Sequence, residues 1–231
     1  MCFSVEADLI AGVALLPVGV LALREVRHPR EVPFASLPLL FALHQLVEAL
    51  VWAGASGDVS DGVQRAAALA YVLFALPVLP TLVPLAVLML EPRDARLRVA
   101  PFVALGLVVS AYLTVAVLQG PVEVRVHAHA LAYGVGLENV TLWTVLYIAA
   151  VIGPSLLSGY PSIVAFGVLN LVGLTVVALL YREAFASLWC VYAACTSVLI
   201  VLHMVLRRRL TDPQRLQGQP NNDQLSGSTS S

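Results

Sequence analysis

The sequence predicts an all-α membrane protein: a seven-transmembrane-helix bundle with its N-terminus outside and its C-terminus cytoplasmic. Three observations lead there. Seven long apolar stretches run through the 231 residues. The composition is 59% hydrophobic and only 12% charged. The arginines sort to one side of the apolar stretches.

The stretches cover residues 7–23, 33–54, 63–90, 97–119, 139–158, 160–181 and 185–206. Each approaches the ~20 apolar residues that carry a helix across ~30 Å of hydrocarbon. Sidedness follows from the basic residues, which number 13 and are all arginine. With seven spans, Arg24, Arg27, Arg30, Arg93, Arg96, Arg98, Arg207, Arg208, Arg209 and Arg215 share one face. Only Arg65, Arg125 and Arg182 fall on the other. Cytoplasmic loops retain positive charge, so the arginine-rich face is inside. The domain expectation is a helical membrane domain over residues 1–210 and a disordered cytoplasmic tail over 211–231, where the chain turns polar.

The near-neutral charge and the absence of a basic stripe with interleaved aromatics exclude a nucleic-acid partner. The lipid bilayer is the expected partner, with a small ligand or partner protein left open. Residues 1–23 lack the positive n-region of a signal peptide, and their basic residues follow the apolar run. Three cysteines are too few for a disulfide framework.

Span 3 carries Pro77, Pro80 and Pro84. Each removes a backbone donor and clashes with the carbonyl four residues earlier, so the helix must bend or break. The break either lines a binding cavity, as in transporters, or only shapes packing. Span 2 places His44, Glu48 and Trp52 four residues apart, hence on one face. An ionisable residue inside a span is a functional candidate by default. The rival reading is a His44–Glu48 pair that holds helices together, with Trp52 in the interfacial aromatic belt.

The outer connection between spans 4 and 5 alternates with period two from Val122 to His129. That pattern argues for a short extended segment or hairpin over the bundle mouth. Alternation sends Glu123, Arg125, His127, His129 and Tyr133 to one side and the valines to the other. His127 and His129 can both reach a transition metal such as zinc or copper; the plainer reading is two solvated histidines. Cys2 before span 1 and Trp189 and Cys190 at the start of span 7 also lie outside. Cys2 and Cys190 either join such a metal site or form a disulfide in an oxidising compartment. The expected binding pocket is therefore Cys2, His44, Glu48, Trp52, Tyr133, Trp189 and Cys190, with His127 and His129 as metal candidates. Cys195 is read as a packing residue, and His28 and His203 sit too far inward to join.

The opening Met-Cys-Phe-Ser-Val-Glu-Ala resembles the start shared by an uncharacterised bacterial multi-pass membrane family. Gln45-Leu-Val-Glu48-Ala-Leu-Val-Trp52 and Ser187-Leu-Trp189-Cys190-Val-Tyr192-Ala-Ala resemble further stretches of it. The resemblance implies that Cys2, Glu48, Trp52, Trp189 and Cys190 belong to one pattern, and it supplies no reaction.

Three function classes remain. The preferred one is a sensor or binding protein with an outer-facing polar pocket for a metal, redox state or small ligand. The second is an intramembrane metal-dependent hydrolase. Seven-span zinc hydrolases of the ceramidase and progestin-receptor-like group carry paired histidines in the last span, whereas span 7 here has only His203. No nucleophile–base constellation or His-Glu-x-x-His motif is visible either, so an enzyme is the less favoured class. The third is a small transporter using the proline-broken span 3.

Overall fold

The computed structural model describes residues 4–92, 95–127, 130–180, 192 and 196–209. The tail expected over 211–231 lies outside these residues, as do Cys2, His129, Arg182, Trp189, Cys190 and Cys195.

The first helix, α1 (Val5–Arg24), starts where the Ser4 hydroxyl accepts the Ala7 N–H. Glu6 and Asp8 in its first turn and Arg24 in its last suit the helix dipole. A 3₁₀ turn at Pro29–Glu31 then reverses the chain. The Glu31 carboxylate accepts the N–H groups of Arg27 and His28, and the His28 ring accepts that of Arg30. One short turn, α2 (Val32–Ala35), leads into α3 (Leu37–Ala55). Gly57, at φ 83°, makes the left-handed bend out of α3 that a side chain would resist.

Next, α4 (Asp61–Leu73) runs through a π-helical segment, Phe74–Val78, into α5 (Leu79–Leu90). After α6 (Arg96–Gln119) come two antiparallel strands, β1 (Glu123–His127) and β2 (Ala130–Gly134). The chain continues as α7 (Val140–Leu156), α8 (Pro161–Leu180) and α9 (Val198–Arg209). The protein is thus mostly helical.

Among the described residues, four helices are long and apolar enough to cross a membrane: Val5–Arg24, Pro29–Ala55, Asp61–Leu90 and Arg96–Gln119. Val140–Leu156 and Pro161–Val177 are apolar but shorter. Of the predicted stretch 185–206, only residue 192 and residues from 196 onward are described. Large apolar side chains project outward along these helices, Ile10, Val13, Leu107, Val108 and Leu118 among them.

Close packing begins with α1 on α3. A methyl added at Gly12 would meet Leu46 at 2.7 Å, and one at Gly19 would meet the Leu39 backbone at 2.6 Å. Small residues here let the two backbones approach. The pairing of Gly12 with Ala42 and Leu46, and of Gly19 with Leu39, makes the helices antiparallel. A core of Phe34, Leu37, Phe41, Val83, Val87, Ile152, Ile163, Phe166 and Ile200 fills the bundle beyond them.

The prolines produce the π segment, since Pro77 lies inside it and Pro80 just beyond. Side chains of neighbouring helices answer the disturbed carbonyls. Ser110 of α6 donates to Pro77 O at 2.5 Å, and Tyr147 of α7 donates to Ala75 O at 2.5 Å. Gly106 lets α6 lie against the Pro80 carbonyl, a place any side chain would occupy. The break is accommodated by packing against α6 and α7.

At the end away from the hairpin, the buried Glu91 carboxylate accepts Ser158 Oγ–H and the Gly159 N–H, pinning the α7–α8 turn. Ser162 Oγ contacts His203 Nδ1 at 2.5 Å, with Phe34 and Tyr160 edge-on to the ring.

Ser110→Ala and Tyr147→Phe should each strand one carbonyl and cost about 1–3 kcal/mol. Thermal melts of the detergent-solubilised variants check this: both midpoints fall, and a wild-type midpoint for either shows that its carbonyl is satisfied elsewhere. Gly106→Val should fall further than both, because it displaces backbone.

Candidate functional site

The strand pairing decides what the hairpin presents to the bundle. Val124 pairs with Tyr133 and Val126 with Leu131, while Glu123, Arg125 and His127 pair with Gly134, Ala132 and Ala130. Paired residues share a face. Tyr133 therefore lies on the valine face, not with Glu123, Arg125 and His127 as simple alternation predicts. The correction has a plain cause: the chain reverses after His127, and the reversal resets the alternation.

Val122, Val124, Leu131 and Tyr133 turn the valine face inward, while Val126 near the tip is exposed. Leu131 is fully buried with Val51, Trp52, Ala67 and Ala68, and Val5, Val122, Val124 and Tyr133 pack around them. The hairpin thereby covers the end of the bundle where α1 begins and α3 finishes. On its other face Arg125 and Glu123 form an exposed ion pair at 2.9 Å, an arrangement that contributes little stability. His127 shares that outward-turned face.

Beneath the hairpin, α3 turns His44, Gln45, Glu48 and Trp52 inward, and all four are buried. His44 stacks on Tyr71 with ring centres 4.0 Å apart and planes at 17°. Tyr71 stacks in turn on Tyr133 at 4.4 Å and 17°. Phe74 closes the lower side of His44 at 4.8 Å. The resulting ladder joins α3, α4 and the hairpin, so Tyr133 tethers the cover to the core.

Asp8 completes the group from α1. It is 1% exposed, and the Trp52 indole is the polar group that stands beside its carboxyl. Among the described residues several buried polar atoms here meet no hydrogen-bonding partner within hydrogen-bond geometry: both Asp8 carboxyl oxygens, Nε2 and Oε1 of Gln45, His44 Nε2 and Trp52 Nε1. Buried polar atoms are almost always paired, so a concentration of unpaired ones calls for a specific explanation.

Of the sequence-predicted pocket, the structure brings together His44, Glu48, Trp52 and Tyr133. Cys2, Trp189 and Cys190 lie outside the described residues, as does His129. Among the described residues no group of three or more His, Cys, Asp or Glu is placed to hold a metal ion. Sequence reasoning passed over Asp8, Gln45 and Tyr71. The signal for Asp8 was present: the buried positions of α1 are Asp8, Gly12, Leu15, Gly19 and Ala22, alternate steps of four and three that mark one packed stripe.

A family model described as a family of unknown function (DUF6629) matches residues 1–216. No curated protein and no solved structure matches. Because the match spans well over half of the sequence, the chain belongs to this family of unknown function.

Proposed function

We propose that the protein is a seven-span protein of the cell membrane, N-terminus outside, that binds a small ligand in the polar cluster beneath its hairpin. In this reading it works as a sensor or binding protein. The apolar exterior of the helices supports the membrane setting. The ten-to-three division of arginines supports the sidedness, with the hairpin on the outer side.

The observation that carries the binding reading is the set of unpartnered buried atoms on Asp8, His44, Gln45 and Trp52. Leaving such a group unsatisfied costs about 1–3 kcal/mol. These polar atoms cost stability where the rings themselves pack, and a bound ligand would satisfy them. The opposite end of the bundle lacks this feature at its buried Glu91, which is met by Ser158 and Gly159.

Two outcomes are expected. In a cysteine-depleted background, a cysteine at Arg125 should react with an impermeant thiol reagent on intact cells, and one at Thr211 should react only after permeabilisation. The reverse pattern overturns the sidedness.

Gln45→Leu keeps the volume and removes an unpaired amide, so it should raise the melting midpoint of the unliganded protein. The gain corresponds to about 1–2 kcal/mol. A lowered midpoint shows that Gln45 is an ordinary packing residue and removes the support for a binding site.

A further inference from the structure

We infer that the end of the bundle opposite the hairpin carries a headgroup site for an anionic phospholipid, formed where α1 and α9 finish side by side. The inference rests on the membrane setting proposed above and concerns the face away from the polar cluster.

Two contacts set the direction of α9. Asn170 Nδ2 donates to Thr196 Oγ1 at 3.2 Å, and Ser162 Oγ contacts His203 Nδ1 at 2.5 Å. As the chain advances from Thr196, its partners step back along α8 toward Pro161, beside the turn that Glu91 pins. Arg207 follows His203 by four residues, about 6 Å further along the helix axis. α9 also packs against α1 and α2, and His203 stands against Phe34 of α2 with ring centres 5.8 Å apart. α1 begins under the hairpin, so its last residue, Arg24, emerges at this same end. Arg207-Arg208-Arg209 thus closes α9 beside the turn that carries Arg24, Arg27 and Arg30.

The fold turns acids of this end inward and leaves its arginines out. Glu31 is buried and accepts the N–H groups of Arg27 and His28. Glu91 is buried and accepts Ser158 Oγ–H and the Gly159 N–H. On the α1–α2 turn Glu25 is half-buried, whereas Arg24, Arg27 and Arg30 are all exposed. Among the described residues none of these three arginines is held in an ion pair. Arg96 differs: it is half-buried and its Nε donates to the Glu91 carbonyl at 3.1 Å. A guanidinium not committed to a carboxylate is a planar donor fork that matches a phosphate group. Basic residues grouped at the cytoplasmic boundary attract anionic headgroups. The chain uses arginine at every basic position apart from histidine, which favours paired hydrogen bonds to phosphate over diffuse attraction.

The test uses the full chain, purified in non-ionic detergent and stripped of bound lipid. Melting midpoints are recorded while phosphatidylglycerol, or phosphatidylcholine with the same acyl chains, is added to the micelles. A parallel series adds inorganic phosphate instead. Phosphatidylglycerol should raise the midpoint in a saturable way, as mass action requires of a ligand that binds the folded state. Phosphatidylcholine and inorganic phosphate should not. Arg24→Gln, Arg27→Gln and Arg30→Gln should each weaken phosphatidylglycerol about five-fold. Two controls should leave its affinity unchanged: Arg98→Gln, beside Gly159 at the α7–α8 turn, and Arg125→Gln on the hairpin.

Absence of a saturable response to phosphatidylglycerol overturns the proposal. An equal response to phosphatidylcholine makes the effect one of acyl chains, and an equal response to inorganic phosphate makes the site one for soluble anions; either overturns it too. So does an undiminished response in the variant with all three turn arginines replaced, or an equal loss in Arg98→Gln. A flat lipid response with the expected thiol labelling on intact cells fails this proposal alone. Reversed labelling with the lipid response intact fails the sidedness alone and leaves the headgroup site standing.

Discussion

The contact of α1 with α3 through Gly12 and Gly19 sets the register on which the rest of the hairpin end depends. Two apolar helices gain little from hydrophobic association when their surroundings are equally apolar, so close van der Waals packing must hold them. The glycines make that approach available, and Leu39 and Leu46 fill the space they leave. Once the two helices lock, Asp8 cannot turn outward without breaking the seam. Its burial follows from the same stripe that buries Gly12, Leu15, Gly19 and Ala22.

The two ends of the bundle treat buried charge in opposite ways. Glu31 and Glu91 sit under turns, where backbone N–H groups left free by helix ends come to meet them. Each helix terminus leaves orphan backbone groups, and a carboxylate placed there satisfies itself and them together. Asp8 is buried too, in the first turn of α1, but what stands beside its carboxyl is the Trp52 indole of α3 and not the backbone of a turn. A buried acid placed away from a turn must be met by side chains or a ligand.

The helical course of the chain was legible because long apolar runs report it directly, and the described helices lie over the first six such runs. The alternating segment after α6 was legible as extended structure, but its facing was not. Alternation assigns sides within one strand only, and where the chain reverses depends on pairing that the sequence does not state. That is how Tyr133 changed sides while His127 kept its own. Glu48 and His44 stood out because charge is rare in an apolar stretch. Asp8 did not, since an acid near a helix start reads equally well as a dipole partner. Gln45 carried no charge to attract notice, and Tyr71 became part of the site only through its stack on His44.

The π segment between Tyr71 and Pro80 has an effect beyond the bend. A π turn holds an extra residue relative to an α turn, so it advances the angular phase of everything after it. Phe74–Val78 lets α4 aim Tyr71 at His44 while α5 aims Val83 and Val87 at the central core. In a continuous α-helix these two faces would follow another phase, and one contact or the other would be lost. The protein thus contains a splice between two helical registers. Loss of one residue from that segment would turn the aromatic ladder off its axis while sparing every side chain in it.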